Sequence, residues 1–387
     1  MLIVAGEASG DALGAGLIRA AHRIDPAVRF WGIGGGAMKE AGADLVFDAG
    51  EIAVVGVWEV LARLPRILEA RRRLRDGLAA ARPDRAVLID YPDFNLRFAP
   101  DVRRAGVPLF YFVSPQVWAW RSRRVATIAR LVDHMMVVFP FEVEIYRKAG
   151  LPVTFVGHPL VDSEPPVLDR GDARARLGQD TEGRVLALLP GSRRSEVSRL
   201  LPIQLAAAAR LRGGRKDLSV VIPVSSSLPE ELVPSILETA GAAGWARPLH
   251  GLFHEVLDAA HAAIVASGTA TLQAGYRETP MVVIYRIHPA TAWLGRRLVH
   301  LSNIALVNLV AGRTVVPELI QEECTPEKIA AAVAPLLDDP AAAARMRSDL
   351  AEVRTRLGAP GAFDRAARLV LGVEGASRSR AEIVRNS

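Results

Sequence analysis

One cysteine, Cys324, in 387 residues leaves no partner for an intramolecular disulfide and no basis for a multi-cysteine zinc site, which fits a reducing compartment. Long apolar runs are missing too. No stretch reaches the roughly 20 uninterrupted apolar residues of a membrane-spanning helix. The first residues enter an apolar strand at once, without a charged region and a long apolar segment before it, so export is not expected. Lysine is scarce: the net charge of +6 and the pI near 9.9 come almost wholly from arginine, clustered at Arg71-Arg72-Arg73-Arg75, Arg121-Arg123-Arg124, Arg193-Arg194 and Arg296-Arg297. Such a surface attracts nucleic acid, anionic lipid or phosphorylated substrates, or simply keeps the chain in solution, so charge alone selects no partner.

What the chain does have is two strand-turn-helix phosphate cradles, one opening each half. The first is Leu2-Ile3-Val4-Ala5 followed by Gly6-Glu7-Ala8-Ser9-Gly10-Asp11. The second is Val185-Leu186-Ala187-Leu188-Leu189 followed by Pro190-Gly191-Ser192-Arg193-Arg194-Ser195-Glu196. Glycines let backbone approach a ligand, a Ser or Asp caps the next helix, and the unpaired N–H groups of that helix start favour an anion. Neither cradle completes the Gly-x-Gly-x-x-Gly pattern with a distant acid, which argues against a nicotinamide dehydrogenase.

Strand-like runs recur at 2–5, 28–33, 86–90, 108–113, 135–139 and 153–156, then at 185–189, 218–224, 262–266 and 281–285, separated by segments with helical spacing. This rhythm predicts an α/β chain of two Rossmann-like domains facing each other across a cleft. The polar, proline-bearing stretch Asp162-Ser163-Glu164-Pro165-Pro166 is the natural linker. The expected division is 1–164, 165–345, C-terminal helices at 346–374 returning to the first domain, and a fraying tail at 375–387. Helices are expected at about 326–338, 340–357 and 362–371, the last two parted by Gly358-Ala359-Pro360-Gly361.

Ligands of open α/β sheets bind beyond the carboxyl ends of the strands, which selects a few turns. Gly191, Ser192 and Arg193 offer backbone donors, a hydroxyl and a guanidinium to a diphosphate, and Ser267-Gly268-Thr269-Ala270-Thr271 is a second hydroxyl-rich helix start. In the first half, Ala86–Ile89 ends in Asp90-Tyr91-Pro92-Asp93-Phe94-Asn95. A carboxylate there serves as a general base, with Asp90 better placed than Asp93, or else both acids merely shape the proline turn. Glu7 and Asp11 are rival acids, and the spacing makes no metal site. Ser114-Pro115-Gln116-Val117-Trp118-Ala119-Trp120-Arg121 either walls a sugar or acyl pocket or packs; His158 either reaches the cleft or is structural. Across residues 52–78, Val54, Val55, Val57, Trp58, Val60, Leu61, Leu64, Ile67 and Leu68 interleave with Arg63, Arg66 and Arg71–Arg73, and Pro65 starts or kinks a helix. The segment reads equally as an interface-seeking helix and as a helix packed on the sheet with its basic face in water.

These motifs, with Leu188-Leu189-Pro190-Gly191-Ser192-Arg193, Ala266-Ser267-Gly268-Thr269-Ala270 and Asn308-Leu309-Val310-Ala311-Gly312-Arg313, give the chain a resemblance to the lipid-A-disaccharide synthase family over nearly its whole length. That family comprises bacterial inverting glycosyltransferases of the two-Rossmann-domain, GT-B type. The Ser-Pro-Gln-Val-Trp-Ala-Trp-Arg string carries most of the specificity. The resemblance implies transfer of 2,3-diacylglucosamine from its UDP derivative to 2,3-diacylglucosamine 1-phosphate, giving a β-1′,6-linked disaccharide and UDP. It further implies a metal-independent enzyme with no cofactor expected, a peripheral place on the cytoplasmic face of the inner membrane, and a homodimer able to exchange C-terminal segments, while the strand-end carboxylate and the paired cradles argue against a nucleic-acid partner.

Carried over by motif, Asp90 would be the general base, with Gly191, Ser192, Arg193, Ser267, Gly268, Thr269, Ala270, Gln273 and Asn308 around UDP. Gly6, Glu7, Ser9, Asp11, Asp93, Asn95, Ser114, Gln116, Trp118, Arg121 and His158 would face the acceptor side, and Val54, Val57, Trp58, Val60, Leu61, Leu64 and Leu68 the membrane or acyl chains. Gln273 departs from the family's common Glu, which weakens a carboxylate clamp on the ribose to a neutral amide contact. The closest rival is a UDP-sugar epimerase on the same architecture. A nucleic-acid-binding module is the rival of a different class.

Overall fold

The computed structural model describes residues 1–52, 57–117, 123–178, 183–215, 217–286 and 303–373, without the side chains of 57–62 and 123. Val54, Trp118, Arg121, Arg296, Arg297 and the expected tail therefore lie outside the described residues, as do the side chains of Val57, Trp58, Val60 and Leu61. The chain divides into two compact units, one made of Met1–Asp162 with the chain from Gly358 onward, the other of Ser163–Leu357.

In the first unit the strands are β1 (Leu2–Ala5), β2 (Phe30–Gly34), β3 (Ala43–Asp48), β4 (Ala86–Ile89), β5 (Leu109–Phe112), β6 (His134–Val137) and β7 (Val153–Phe155). Between and after them run α1 (Ala8–Ile24), α2 (Gly36–Glu40), α3 (Val57–Ala81), α4 (Pro92–Arg104), α5 (Arg123–Leu131), α6 (Glu142–Lys148) and α7 (Pro159–Ser163). The sheet order is β3-β2-β1-β4-β5-β6-β7, and the pairings are parallel. Every residue of β1 and β4 is buried, because helices cover both faces and leave no side to alternate toward water. Helix α1 buries the stripe Gly10, Gly14, Leu17, Ile18 and Ala21, the spacing of one helical face.

The second unit repeats the plan. It contains α8 (Arg170–Arg176), β8 (Arg184–Leu189), α9 (Arg194–Arg212), β9 (Leu218–Val224), α10 (Leu232–Thr239), β10 (Ala246–His250), α11 (Phe253–Ala259), β11 (Ala262–Ala266), α12 (Thr269–Tyr276) and β12 (Met281–Tyr285). Then come α13 (Leu306–Ala311), β13 (Glu318–Ile320), α14 (Pro326–Asp338) and α15 (Pro340–Arg356). Its sheet runs β10-β9-β8-β11-β12-β13, again parallel. In each sheet the order reverses beside the first strand, between β1 and β4 and between β8 and β11. A crevice for ligands opens at the carboxyl end of such a reversal, so the topology marks the two cradles as the places to look.

Strands β3, β10 and β13 were not evident in the sequence. All three are edge strands with mixed exposure, so their residues never form a continuous apolar run. The C-terminal stretch 346–374 is split rather than returned whole. Helix α15 buries Ala343, Leu350 and Val353 within the second unit, and Leu350 and Val353 lie beside Gly275 of α12. The chain then turns at Gly358 and Gly361, both with positive φ, and α16 (Ala362–Leu371) joins the first unit. Asp162 accepts hydrogen bonds from the N–H groups of Gly361 (2.5 Å) and Phe363 (3.1 Å), capping α16, and Arg23 pairs with Asp364 at 2.7 Å.

Candidate functional site

At the β1/β4 crevice, the turn after β1 needs glycine for space: a Cβ at Gly6 would lie 1.9 Å from the Tyr91 ring. Tyr91 follows Asp90, and both adopt left-handed backbone angles, φ 43° and 41°. At the end of the neighbouring β5, Val113 does the same with φ 65°, a conformation a β-branched side chain strongly resists. Strain of this kind persists only where the surroundings over-determine it, and they do. The Asp90 N–H donates to the Phe112 carbonyl (3.0 Å), while its own carbonyl accepts from the Tyr111 hydroxyl (2.5 Å) and from Asn95 Nδ2 (2.8 Å). The Val113 N–H donates to the Met136 carbonyl at 3.1 Å.

The result is a cavity of about 270 Å³ lined by Asp90, Pro92, Val113 to Val117, Arg124, Phe139 and Glu142. Burial, and then the nearby Glu7 carboxylate, push the Asp90 carboxyl up to about 6, against a hydrogen bond from the Tyr91 backbone that lowers it. A partly buried carboxylate poised near neutrality in a cavity is suited to take a proton from a substrate hydroxyl.

The other residues singled out in this half divide by role. Gln116 lines the cavity with Asp90, and the Ser114 hydroxyl is there too but is held between Tyr146 Oη (2.7 Å) and the Pro115 carbonyl (2.8 Å). Ser9 donates to Glu7 (2.6 Å), and Arg124 donates to the exposed Asp93 (2.7 Å). Asn95 is fully buried and its amide brackets the Asp90 turn, so it positions rather than faces a ligand. Asp11 is spent on structure: its carboxylate accepts from the N–H groups of Gly35 (2.6 Å), Ala37 (3.0 Å) and Met38 (3.1 Å), capping α2. His158 is structural as well. Its Nδ1 accepts from the Leu160 N–H (3.1 Å), its ring lies 5.1 Å from that of Phe139, and burial pushes its pKa down to about 4, so it is neutral at pH 7. Arg124, Phe139 and Glu142 were missed as lining residues, although Phe139-Pro140-Phe141-Glu142 follows a strand and the strand-end rule would have found it.

At the β8/β11 crevice, Gly191 has φ 110°, and a Cβ there would come within 2.5 Å of the Glu196 carboxylate. Glu196 folds back on the start of α9, 3.4 Å from both the N–H and the guanidinium of Arg193. Arg193 remains largely exposed, and Ser192 is exposed, its carbonyl accepting from Ser227 Oγ (3.1 Å). Gly268 opens α12, and among the described residues no atom lies within 4 Å of a would-be Cβ there. Gln273, one turn further along α12, donates from Nε2 to Glu164 Oε1 at 3.0 Å.

Asn308 corrects an expectation. It is fully buried, and its amide is used up by protein: Nδ2 donates to the Val316 carbonyl (2.9 Å) and Glu318 Oε1 (2.7 Å), while Oδ1 accepts from the N–H groups of Val315 (2.8 Å) and Val316 (3.0 Å). All four bonds an amide can make are taken, which leaves nothing for a nucleotide. Glu318 in turn accepts from Ile304 and Ala305 N–H at the start of α13.

Helix α3 packs on the core from Ala70 onward and is more exposed before it. Pro65 lies inside it, not at its start. Ala70, Leu74 and Leu78 are buried in the core, whereas Leu64 and Leu68 are exposed by 40% and 57%. Part of its arginine is neutralised: Arg71 reaches the buried Asp101 of α4 at 2.7 Å, a carboxylate it shares with Arg104 of α4 at the same distance. Among the described residues no helix is long and apolar enough to cross a membrane, and no cluster of three His, Cys, Asp or Glu side chains is placed to hold a metal ion.

Residues 1–371 match the family model for lipid-A-disaccharide synthetase. The lipid-A-disaccharide synthase of Geobacter sulfurreducens is 46% identical over 375 residues, covering 97% of each chain, and that of Myxococcus xanthus is 45% identical over 373 residues, covering 96% of each. Among solved structures, a UDP-N-acetylglucosamine 2-epimerase described as such from Listeria monocytogenes superposes with a TM-score of 0.62 at 13% identity, over 96% of this chain and 95% of that one. The calicheamicin glycosyltransferase CalG4 gives 0.59 at 16% identity, over 96% and 97%. These structural likenesses establish the two-Rossmann fold, which epimerases and transferases share.

Proposed function

The chain belongs to the lipid-A-disaccharide synthase family of glycosyltransferases, and from that premise we propose how its two units divide the reaction. The enzyme transfers 2,3-diacylglucosamine from its UDP derivative to 2,3-diacylglucosamine 1-phosphate, forming the β-1′,6-linked disaccharide and releasing UDP. Asp90 is the general base. It takes the proton of the acceptor 6-hydroxyl as that oxygen attacks the sugar C1 opposite the leaving UDP, which inverts the anomeric centre. The observation that carries this assignment is the Asp90 carboxyl itself: held at a strained strand end, lining a cavity, with its pKa raised to about 6. The second unit holds UDP. The N–H groups at the starts of α9 and α12, with Ser192, Ser267 and the free guanidinium face of Arg193, stabilise the charge that grows on the diphosphate as the glycosidic bond breaks.

Leu64 and Leu68 on α3, flanked by Arg66 and Arg72, form the contact with an anionic bilayer, from which acylated substrates enter without leaving the lipid phase. The working enzyme is accordingly a peripheral protein of the cytoplasmic face of the inner membrane. A transfer assay with purified protein, both diacylated substrates, detergent and excess EDTA tests the proposal. Disaccharide and UDP are expected in equal amounts, with no turnover of the UDP-sugar alone. Epimerised UDP-sugar, or a product that appears only when a divalent metal is restored, would overturn it.

A further inference from the structure

Glu164 is the second residue of its unit and lies outside the cradles, yet it is buried to 97% of its side chain among polar groups. Its Oε2 accepts from Arg277 Nε at 3.0 Å, with His254 Nδ1 3.1 Å away, and its Oε1 accepts from Gln273 Nε2 at 3.0 Å. Arg277, itself fully buried, is tied on its other side to Asp258 Oδ2 at 2.6 Å and to the Pro165 carbonyl at 2.9 Å. Glu164 is therefore locked in place before Gln273 reaches it.

An amide has one end that only donates and one that only accepts, and a carboxylate beside a guanidinium only accepts. The end of Gln273 that meets Glu164 must then be its NH₂ group. Among the described residues its Oε1 has no hydrogen-bond partner and is not wholly buried, and Gln273 lies one turn beyond the N–H groups at the start of α12. We propose that Glu164 is a positioning residue that fixes the Gln273 amide with its carbonyl oxygen toward the nucleotide, so that a neutral side chain presents the acceptor needed by the ribose hydroxyls.

This inference rests on the reading of the second unit as the UDP-binding half. It has a reciprocal consequence. A carboxylate at position 273 would stand at hydrogen-bond distance from that of Glu164, where both cannot stay ionised, so the amide at 273 and the acid at 164 are one choice made at two positions.

The test is calorimetric titration of the purified enzyme with UDP and with 2′,3′-dideoxy-UDP. The native protein is expected to prefer UDP about tenfold, the worth of one or two hydrogen bonds. In Glu164→Gln the new amide satisfies Arg277 with its oxygen and turns its NH₂ to Gln273, which reverses the Gln273 amide. The preference should fall to about twofold or less, with affinity for the dideoxy analogue unchanged. Gln273→Glu alone should weaken UDP binding, and the double variant Glu164→Gln/Gln273→Glu should recover the preference, because the acid and the amide have exchanged places.

A native preference in Glu164→Gln, or an equal loss for both nucleotides that the double variant does not repair, would overturn the positioning role while leaving the nucleotide site intact. Failure of the nucleotide reading looks different: Gln273→Ala would then bind both ligands as the native protein does.

Discussion

Asp90→Asn is expected to lower the rate of disaccharide formation by about 10²–10⁴-fold while UDP affinity stays within about twofold, because the amide keeps the shape and loses the proton acceptor. Arg193→Ala should show the opposite split, with UDP binding weakened by about tenfold as a charge-assisted contact is lost. The pH profile adds a sharper signature. With its pKa raised to about 6, Asp90 is protonated below that pH and cannot act as a base. The native kcat/KM should therefore drop about tenfold per unit below pH 6 and level off above it, whereas the residual rate of Asp90→Asn should show no step near pH 6.

Stability should move the other way. A carboxyl whose pKa rises from 3.8 to about 6 on folding favours the folded state in its protonated form, and that advantage is lost as pH climbs from about 4 through 6. At pH 8 the ionised group costs on the order of 3 kcal/mol at 1.36 kcal/mol per unit. Asp90→Asn should thus melt above the native enzyme at pH 8 and together with it at pH 4. An active Asp90→Asn protein, or a native profile flat from pH 5 to 8, would sink the base assignment.

The second large effect is on stability alone. Asn308→Asp preserves the shape of the side chain but puts a carboxylate where Nδ2 now stands 2.7 Å from Glu318, and it removes the donor to the Val316 carbonyl. A buried charge without compensation costs about 3–5 kcal/mol, so the urea midpoint of the unfolding step that includes the second unit should fall markedly. The new carboxyl, buried against a like charge, would titrate above its usual range. Its penalty is absent in acid and grows as pH rises, so native and variant should converge toward pH 4. An Asn308→Asp protein with native stability and weakened UDP binding would return the residue to the nucleotide site.

Much of this arrangement was legible in the chain. The alternation of apolar runs and helical segments is written by local periodicity, and it was enough to foresee two parallel α/β units and the turns at the ends of β1, β4, β8 and β11. The motif strings around Asp90, Ser114, Arg193 and Ser267 pointed to the same family that full-length comparison then showed. Which polar residue in those strings faces a ligand was a different matter. Asp11, Asn95 and Asn308 are of the same chemical types as Asp90 and Gln273, and the His158 imidazole is equally able to bond a ligand, but the fold consumes them in caps and brackets.

That distinction depends on partners far along the chain. Asp11 is met by backbone from Gly35 to Met38, Gln273 by Glu164, and the destination of α16 is set by Asp162. Periodicity acts over a few residues and is carried by the sequence itself, so most of the elements, the two-sheet α/β fold class and the family were determined there. Hydrogen-bond satisfaction, burial and the raised pKa of Asp90 arise only when distant segments close around a side chain. The tertiary structure alone decided which groups were left free to do chemistry.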